Sequence, residues 1–405
     1  MKTINKIINA YNIDNIKETY PEEIGITDLK NTLGTKGHIF VIRGDKAYEA
    51  QLKGRENLAN PKFWLYENLI NSARVQEQLK KHPNHKLFDG VGYSSLEALG
   101  FHASRLGRKA VVVMAHEMIP DQEVFSRYNI EVIHADGVME DGYVKKQKEI
   151  LSKRDDLIPF HQALYGAQCL APIGNRISSQ LEELCIKIDA TFWCMASGSN
   201  LYGIGEKIKQ KFPESKTFVA EPETNLTIDP LIDMSDIEQV KNFAKDKLKK
   251  YSLNDWDKRY HGVFPLHVSG ANRYLLFLWA NTGKFGFDEA INVPNEKIVQ
   301  TQKDLVEINS DYNWTKTTAL TLVPAIKLAE QGKNVVVMSY GKNREHKSRR
   351  LIINNLEDLI EIPWLFRGET ITQKVALTAA VLTGEIIAML GTIYSDPKAP
   401  MYMIN

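Results

Sequence analysis

Ala190-Thr-Phe-Trp-Cys-Met-Ala-Ser-Gly-Ser-Asn-Leu-Tyr-Gly203 runs from an apolar stretch through a turn of small residues into a helical pattern. The stretch Ala190–Met195 is continuously apolar, as expected of a strand buried on both faces of a sheet. The turn Ala196–Asn200 opens a helix over Tyr202–Phe212. Small residues there let backbone N–H groups approach an anion, and the helix N-terminus adds its positive dipole end. A phosphate cup and a plain strand–helix turn capped by Ser or Asn both fit this stretch.

Working outward, the same alternation recurs. Strands are expected at His38–Arg43, Lys46–Leu52, Ala110–Met114, Glu131–His134, Thr217–Ala220 and Asn334–Ser339. The first two flank Gly44-Asp45 and read as a hairpin. Helices are expected at Lys62–Lys80, Leu96–Leu106, Asp121–Tyr128, Gly142–Lys153, Ile177–Ile186, Asp236–Lys250 and Ala319–Gln331, and Arg273–Trp279 reads as a buried helix. Alternating strands and helices predict parallel sheets and an α/β fold. Glu223–Pro265 reads as loop-rich around its one charged helix.

Composition bounds the function. The chain has 405 residues, 25% charged and 43% hydrophobic, and carries 51 basic against 50 acidic side chains. A net charge of +1 argues against non-specific nucleic-acid binding, which requires a basic excess to displace counterions. Three cysteines, Cys169, Cys185 and Cys194, cannot form a disulfide framework, so a reducing cytoplasm is expected. No Cys/His cluster has zinc-ligand spacing, and no metal is expected. Asn5, Lys6 and Asn9 interrupt the N-terminal apolar stretch, so no signal peptide is read. The longest apolar tract, Val375–Tyr394, has Glu385 at its centre and reads as a buried helix rather than a membrane span. The basic run Lys342–Arg350 reads as a solvated loop.

The helix after Pro61 places Tyr66, Leu69, Ile70 and Ala73 on one stripe, and Lys62 projects from the same stripe. Burial disfavours the ammonium form, and a neutral amine is a nucleophile. The alternative is a lysine whose stem packs while its head escapes to solvent. Periodicity alone favours the second. A second small-residue turn, Gly90-Val-Gly-Tyr-Ser-Ser95, precedes the helix from Leu96 and could hold a carboxylate. In open α/β sheets ligands sit beyond the carboxyl ends of the strands, where both turns fall.

The order of these parts resembles the fold-type II pyridoxal-phosphate enzymes, the group of cysteine synthase, the tryptophan synthase β-subunit and threonine dehydratase. Lys62 followed by Asn68-Leu-Ile-Asn-Ser-Ala73 is similar to the stretch after that family's Schiff-base lysine. Met114-Ala-His-Glu-Met118 with Asn129-Ile-Glu-Val-Ile133 resembles its "MPETM…GAEVV" segment. Lys187–Gly203 is similar in position to its phosphate loop, and Phe218-Val-Ala-Glu-Pro222 to the "VEP" strand that follows. Thr317-Thr-Ala319, Ala325–Leu328 and Asn334–Ser339 resemble the closing helix and strand.

The resemblance implies two three-layer α/β/α domains with mostly parallel twisted sheets. Residues 1–60 would pack on the large domain, 61–185 would form the smaller domain, and 186–405 the larger one with the phosphate cup. It implies pyridoxal 5'-phosphate as cofactor, a small amino acid as substrate, β-elimination or β-replacement as the reaction, and a homodimer. Lys62 would bind the cofactor covalently and act as base. Ser197, Gly198, Ser199 and Asn200 would bind its phosphate. Ser94 would lie beside the ring hydroxyl, and Ser339, with Lys342 as competitor, would face the pyridine nitrogen. Tyr93, Ser95 and Gln162 would bind the substrate carboxylate. The family's Ser-Gly-Asn-Thr-Gly turn is Gly92-Tyr-Ser-Ser-Leu96 here, Ala59-Asn60 replaces Gly-Ser before the lysine, and Trp64 replaces an arginine. These departures leave open a non-catalytic ligand-binding protein on the same scaffold. A Rossmann-type nucleotide enzyme is a third reading, but the sequence lacks its glycine fingerprint.

Overall fold

The computed structural model describes residues 24–115, 124, 127–135, 140–223, 228, 232–251 and 273–343. In chain order these form β1 (Ile26–Asp28), α1 (Lys30–Leu33), β2 (Ile39–Ile42), α2 (Lys62–Asn71), α3 (Ala73–Lys81), β3 (Lys86–Gly90), α4 (Tyr93–Arg105), β4 (Ala110–Ala115) and β5 (Ile130–Ala135). Next come α5 (Glu140–Leu151), β6 (Leu157–Pro159), α6 (Gln162–Glu183), β7 (Ala190–Trp193), a π-helical turn (Leu201–Gly205), α7 (Glu206–Lys211) and β8 (Lys216–Pro222). Then follow α8 (Ile237–Tyr251), α9 (Arg273–Thr282), β9 (Glu289–Val293), α10 (Asn295–Ile308), α11 (Lys316–Glu330) and β10 (Val335–Met338). The expected helix at Asp121–Tyr128, the loop-rich Glu223–Pro265, the basic run Lys342–Arg350 and the apolar tract Val375–Tyr394 lie wholly or partly outside the described residues.

The strands form two sheets. The larger has the order β1-β2-β10-β7-β8-β9, and the smaller β5-β4-β3-β6. All pairings are parallel except β1 on β2. Both faces of the larger sheet are covered, which is why its strands read as unbroken apolar runs. Ile39, Val41, Phe192, Val335 and Val337 face one side with Leu322 and Ala325 of α11. Phe40, Ile42, Trp193, Val336 and Met338 face the other, in a cluster that continues through α2 and α6 to Leu87 and Val112 of the smaller sheet. Parallel register sets Phe192 beside Phe218, and their rings stack with centroids 5.0 Å apart.

Two expectations are corrected. Lys46–Leu52 is not a strand paired with His38–Arg43; Gly44–Lys46 and Glu49–Gln51 are 3-10 turns, and β1 takes the antiparallel place beside β2. The cause is packing at Gly44. A Cβ there would overlap the Ser339 carbonyl oxygen and come within 2.7 Å of Pro61 Cγ, so the chain wedges against the end of β10 instead of folding back. Asp45 is then buried and doubly bonded to Arg43, at 2.9 and 2.8 Å, with Trp314 Nε1 donating to it at 3.1 Å.

The single helix Lys62–Lys80 is two helices broken at Ser72, whose extended backbone (ψ 145°) starts α3. Ser72 Oγ donates to the Leu69 carbonyl at 2.6 Å and accepts from Val75 N–H at 3.4 Å. Ala73 therefore lies on an exposed turn rather than on the buried stripe.

Candidate active site

The expected site residues lie on turns at the carboxyl ends of β3, β7 and β10 and on the helices α2 and α6. The cup after β7 keeps its expected form. Gly198 has φ +73°, a left-handed backbone that glycine adopts without a Cβ clash, and this turns the chain sharply into the helix. Ser197 and Ser199 hydroxyls bond each other at 2.7 Å, and Tyr202 N–H returns to the Gly198 carbonyl at 2.9 Å. No side chain caps the π-helical turn at Asn200. Asn200 Oδ1 is buried with no hydrogen-bond partner among the described residues. A side-chain amide is two-ended, so a half-turn about χ2 presents its NH2 group instead. Uncapped helix N–H groups, two hydroxyls and an unengaged amide form a donor set that fits a phosphate group.

Lys62 opens α2 and points inward, resolving the two readings of its stripe. Its Nζ donates to Gln162 Oε1 at 2.7 Å, at the first residue of α6. One helical turn further, about 6 Å along the axis, Gly166 fills the space between α2 and the cup. A Cβ on Gly166 would overlap Ser199 Oγ and stand 3.0 Å from Leu65 Cδ1. Lys62 and the cup thus bracket a single turn of α6.

Burial lowers the Lys62 amine from the ordinary 10.5 to about 8, with the charge of Asp89 opposing. Asp89 is the penultimate residue of β3 and is 2% exposed. Its Oδ2 accepts from Tyr66 Oη at 2.9 Å and from Gln162 N–H at 3.1 Å, and its Oδ1 from Gly90 N–H at 2.9 Å. Burial pushes Asp89 up to about 7; the hydrogen bonds from Gln162, Tyr66 and Gly90 and the charge of Lys62 pull the other way. Cys169, two turns after Gln162 on α6, also faces Lys62, and burial raises its thiol.

These shifts set the pH dependence of stability. Between about pH 8 and 10.5 the unfolded chain holds a proton on Lys62 that the folded chain has lost, so stability rises with pH there. Asp89 acts in the opposite sense. The folded chain holds its proton up to about pH 7, so its contribution is present at acid pH and lost as pH rises through 7. Urea unfolding of the cofactor-free protein is expected to show a stability rise above pH 8 that disappears in Lys62→Met. A rise that persists in the variant would remove Lys62 as its source.

The other expected residues fall as follows. Tyr93 and Ser94 are the first residues of α4 and are partly exposed, and Ser95 is buried. Ser94 and Tyr93 thus lie next to the Asp89–Gly90 strand end. Ser339 follows β10; its hydroxyl donates to Asp45, with the Ile42 carbonyl as a second acceptor at 3.1 Å, and accepts Asp45 N–H at 3.1 Å. Lys342 Nζ pairs with Asp311 at 3.1 Å. Asp89, Gly166 and the role of Tyr66 were not found from sequence. Asp89 is a charged residue in a five-residue strand that carries only two large apolar side chains, so nothing local marks it as buried.

The chain has the fold of the fold-type II pyridoxal-phosphate enzymes. Among solved structures it is similar to an O-acetylserine-dependent cystathionine β-synthase from Helicobacter pylori, with TM-score 0.57 and 14% identity over 82% of this chain and 94% of that one. It is also similar to O-acetylserine sulfhydrylase isoform 3 from Entamoeba histolytica, with TM-score 0.56 and 13% identity over 82% and 88%. A hydrogen-sulfide-producing enzyme from Fusobacterium nucleatum aligns with TM-score 0.52 and 16% identity over 82% and 96%. No family model and no curated protein matches the sequence. No helix among the described residues is long and apolar enough to cross a membrane.

Proposed function

We propose that this chain is a pyridoxal-phosphate-dependent enzyme catalysing β-elimination or β-replacement on a small amino acid, working in the cytoplasm as a homodimer. The observation that carries the proposal is the inward-pointing Lys62 amine, one turn of α6 from a small-residue cup whose Asn200 side chain has no hydrogen-bond partner at Oδ1 among the described residues. The similar solved structures support it: they are an O-acetylserine-dependent cystathionine β-synthase, an O-acetylserine sulfhydrylase and a hydrogen-sulfide-producing enzyme.

Pyridoxal phosphate supplies, when bound, an aldehyde that joins an amine and a ring that accepts electrons from the substrate's α-carbon. Ser197, Gly198, Ser199 and Asn200 hold the phosphate through hydroxyl and backbone donors. Lys62, neutral over more of the physiological range than an exposed lysine, serves as nucleophile and then as the base that takes the α-proton at Nζ. Gln162 holds that amine through Oε1; its NH2 group gives one proton to the Gly90 carbonyl at 3.4 Å and keeps the other for a substrate carboxylate beside Tyr93, Ser94 and Ser95. Ser339 belongs in this proposal to the Asp45 network, because its proton is already donated there.

The test is spectroscopic. Protein incubated with pyridoxal phosphate is expected to turn yellow, and borohydride is expected to fix the chromophore on the peptide containing Lys62. Colourless protein, or a label elsewhere, overturns the proposal. A screen of O-activated serines and homoserines, serine and threonine, with and without sulfide, then separates elimination from replacement.

A further inference from the structure

Asp89 is a buried carboxylate that the proposed chemistry does not use. It joins two helices to the end of its own strand. Tyr66, one turn along α2 from Lys62, donates to its Oδ2 at 2.9 Å. Gln162 N–H, the first of α6, donates to the same oxygen at 3.1 Å. Gly90 N–H closes onto Oδ1 at 2.9 Å where β3 enters the small-residue turn.

The residue before Gln162 is forced to suit. His161 adopts φ 55° and ψ 50°, a left-handed conformation uncommon for a residue with a side chain. Strained backbone of this kind persists where surrounding structure over-determines it and clusters at functional sites. Here it precedes the residue whose N–H meets Asp89 and whose side-chain oxygen receives Lys62.

We infer that Asp89 is a positioning residue for Lys62: by clamping α2, through Tyr66, to the start of α6, through Gln162 N–H, it fixes the Lys62–Gln162 hydrogen bond, and its charge acts on the amine across that clamp. This deepens the proposed function and rests on Lys62 being the reacting amine. The charges acting on Lys62 are Asp89 from β3 and the Cys169 thiol from α6, which burial keeps neutral. On the same helix, Glu67 is engaged by His102 at 3.2 Å and Arg105 at 2.7 Å from α4. The cup contributes only neutral serines and Asn200.

The test reads Lys62 without cofactor. Cofactor-free protein is labelled with trinitrobenzenesulfonate across pH 6–11, and the labelling rate of the Lys62 peptide is followed. In D89N, which keeps the side chain's shape and removes its charge, the midpoint of Lys62 labelling is expected to fall by about one pH unit or more. A role in stability alone would lower the melting temperature and leave that midpoint in place, which would overturn the inference.

The reciprocal arm leaves Asp89 intact, so it holds even where D89N does not fold. Coupling between two titrating groups is mutual, so in Lys62→Met the Asp89 carboxyl, followed by its carbon-13 shift, is expected to titrate higher by the same amount. An unchanged Asp89 titration overturns the inference as well. Protein that takes up no pyridoxal phosphate yet shows both shifts retains the Asp89 clamp and loses the enzymatic reading. Protein that turns over substrate while neither titration moves does the reverse.

Discussion

Lys62→Ala is expected to abolish covalent attachment of pyridoxal phosphate and to reduce turnover to background. Losing the base for the α-proton removes about 10²–10⁴-fold on its own, and losing the nucleophile that holds the cofactor adds to it. The variant is expected to stay folded. Lys62 is not part of the apolar cluster formed by Phe63, Leu65, Tyr66 and Leu69 on the same helix, and its amine makes one hydrogen bond, to Gln162. Three measurements make the result specific. Absorbance reports cofactor attachment, borohydride mapping reports its site, and thermal melting reports folding. A variant that folds and keeps turnover would refute the role of Lys62 and with it the proposed function. A variant that folds, still takes up cofactor without covalent attachment and lacks turnover would separate the phosphate cup from the amine.

How far the sequence led depended on whether a residue's fate was decided locally. The cup after β7 was readable because the apolar run, the small residues and the helix are contiguous, and each has a local physical signature. The stripe on its helix placed Lys62 on the inward side, but periodicity alone favoured an amine that escapes to solvent, and that reading is overturned. That was settled by Gln162, which is 100 residues away in the chain.

Asp89 was missed for the same reason in reverse. A carboxylate in Lys86-Leu-Phe-Asp-Gly90 reads as surface, and only Tyr66 and Gln162 make it a satisfied interior group. The first half of α6 was missed because Gly166, Pro172 and Gly174 read as helix breakers. In the fold the two glycines are demanded by neighbours: a Cβ on Gly174 would stand 2.8 Å from the Gly203 carbonyl oxygen, and one on Gly166 would strike Ser199. The short strand Leu157–Pro159 escaped because proline lacks the N–H a central strand needs, and β6 is at the edge of the smaller sheet, where proline is tolerated. The false strand at Lys46–Leu52 came from reading Gly44-Asp45 as a hairpin turn, when the glycine is there to let Ser339 and Pro61 approach.

The close approach at Gly166 yields the second large effect, because it is the contact through which the lysine helix and the cup share one wall. Gly166→Ala is expected to weaken pyridoxal-phosphate binding tenfold or more. The new methyl group meets Ser199 Oγ directly, stands 2.9 Å from Ser199 Cβ and 3.0 Å from Leu65 Cδ1, and has no empty volume to enter. Ser199 is 3% exposed and tied to Ser197, so it moves only by deforming the cup. Overpacking of this kind typically costs about 1–3 kcal/mol.

The sign makes the experiment decisive. Within a helix, alanine is favoured over glycine by about 1 kcal/mol, so a variant that felt only helix propensity would be more stable and would bind as before. Cofactor titration by absorbance, with thermal melting alongside, distinguishes the two. Ser179→Ala, an exposed change on the same helix, is expected to leave affinity unaltered. Unchanged affinity in Gly166→Ala would mean that Ser199 does not form part of the phosphate site, and the cup would have to be rebuilt from Ser197 and the backbone alone.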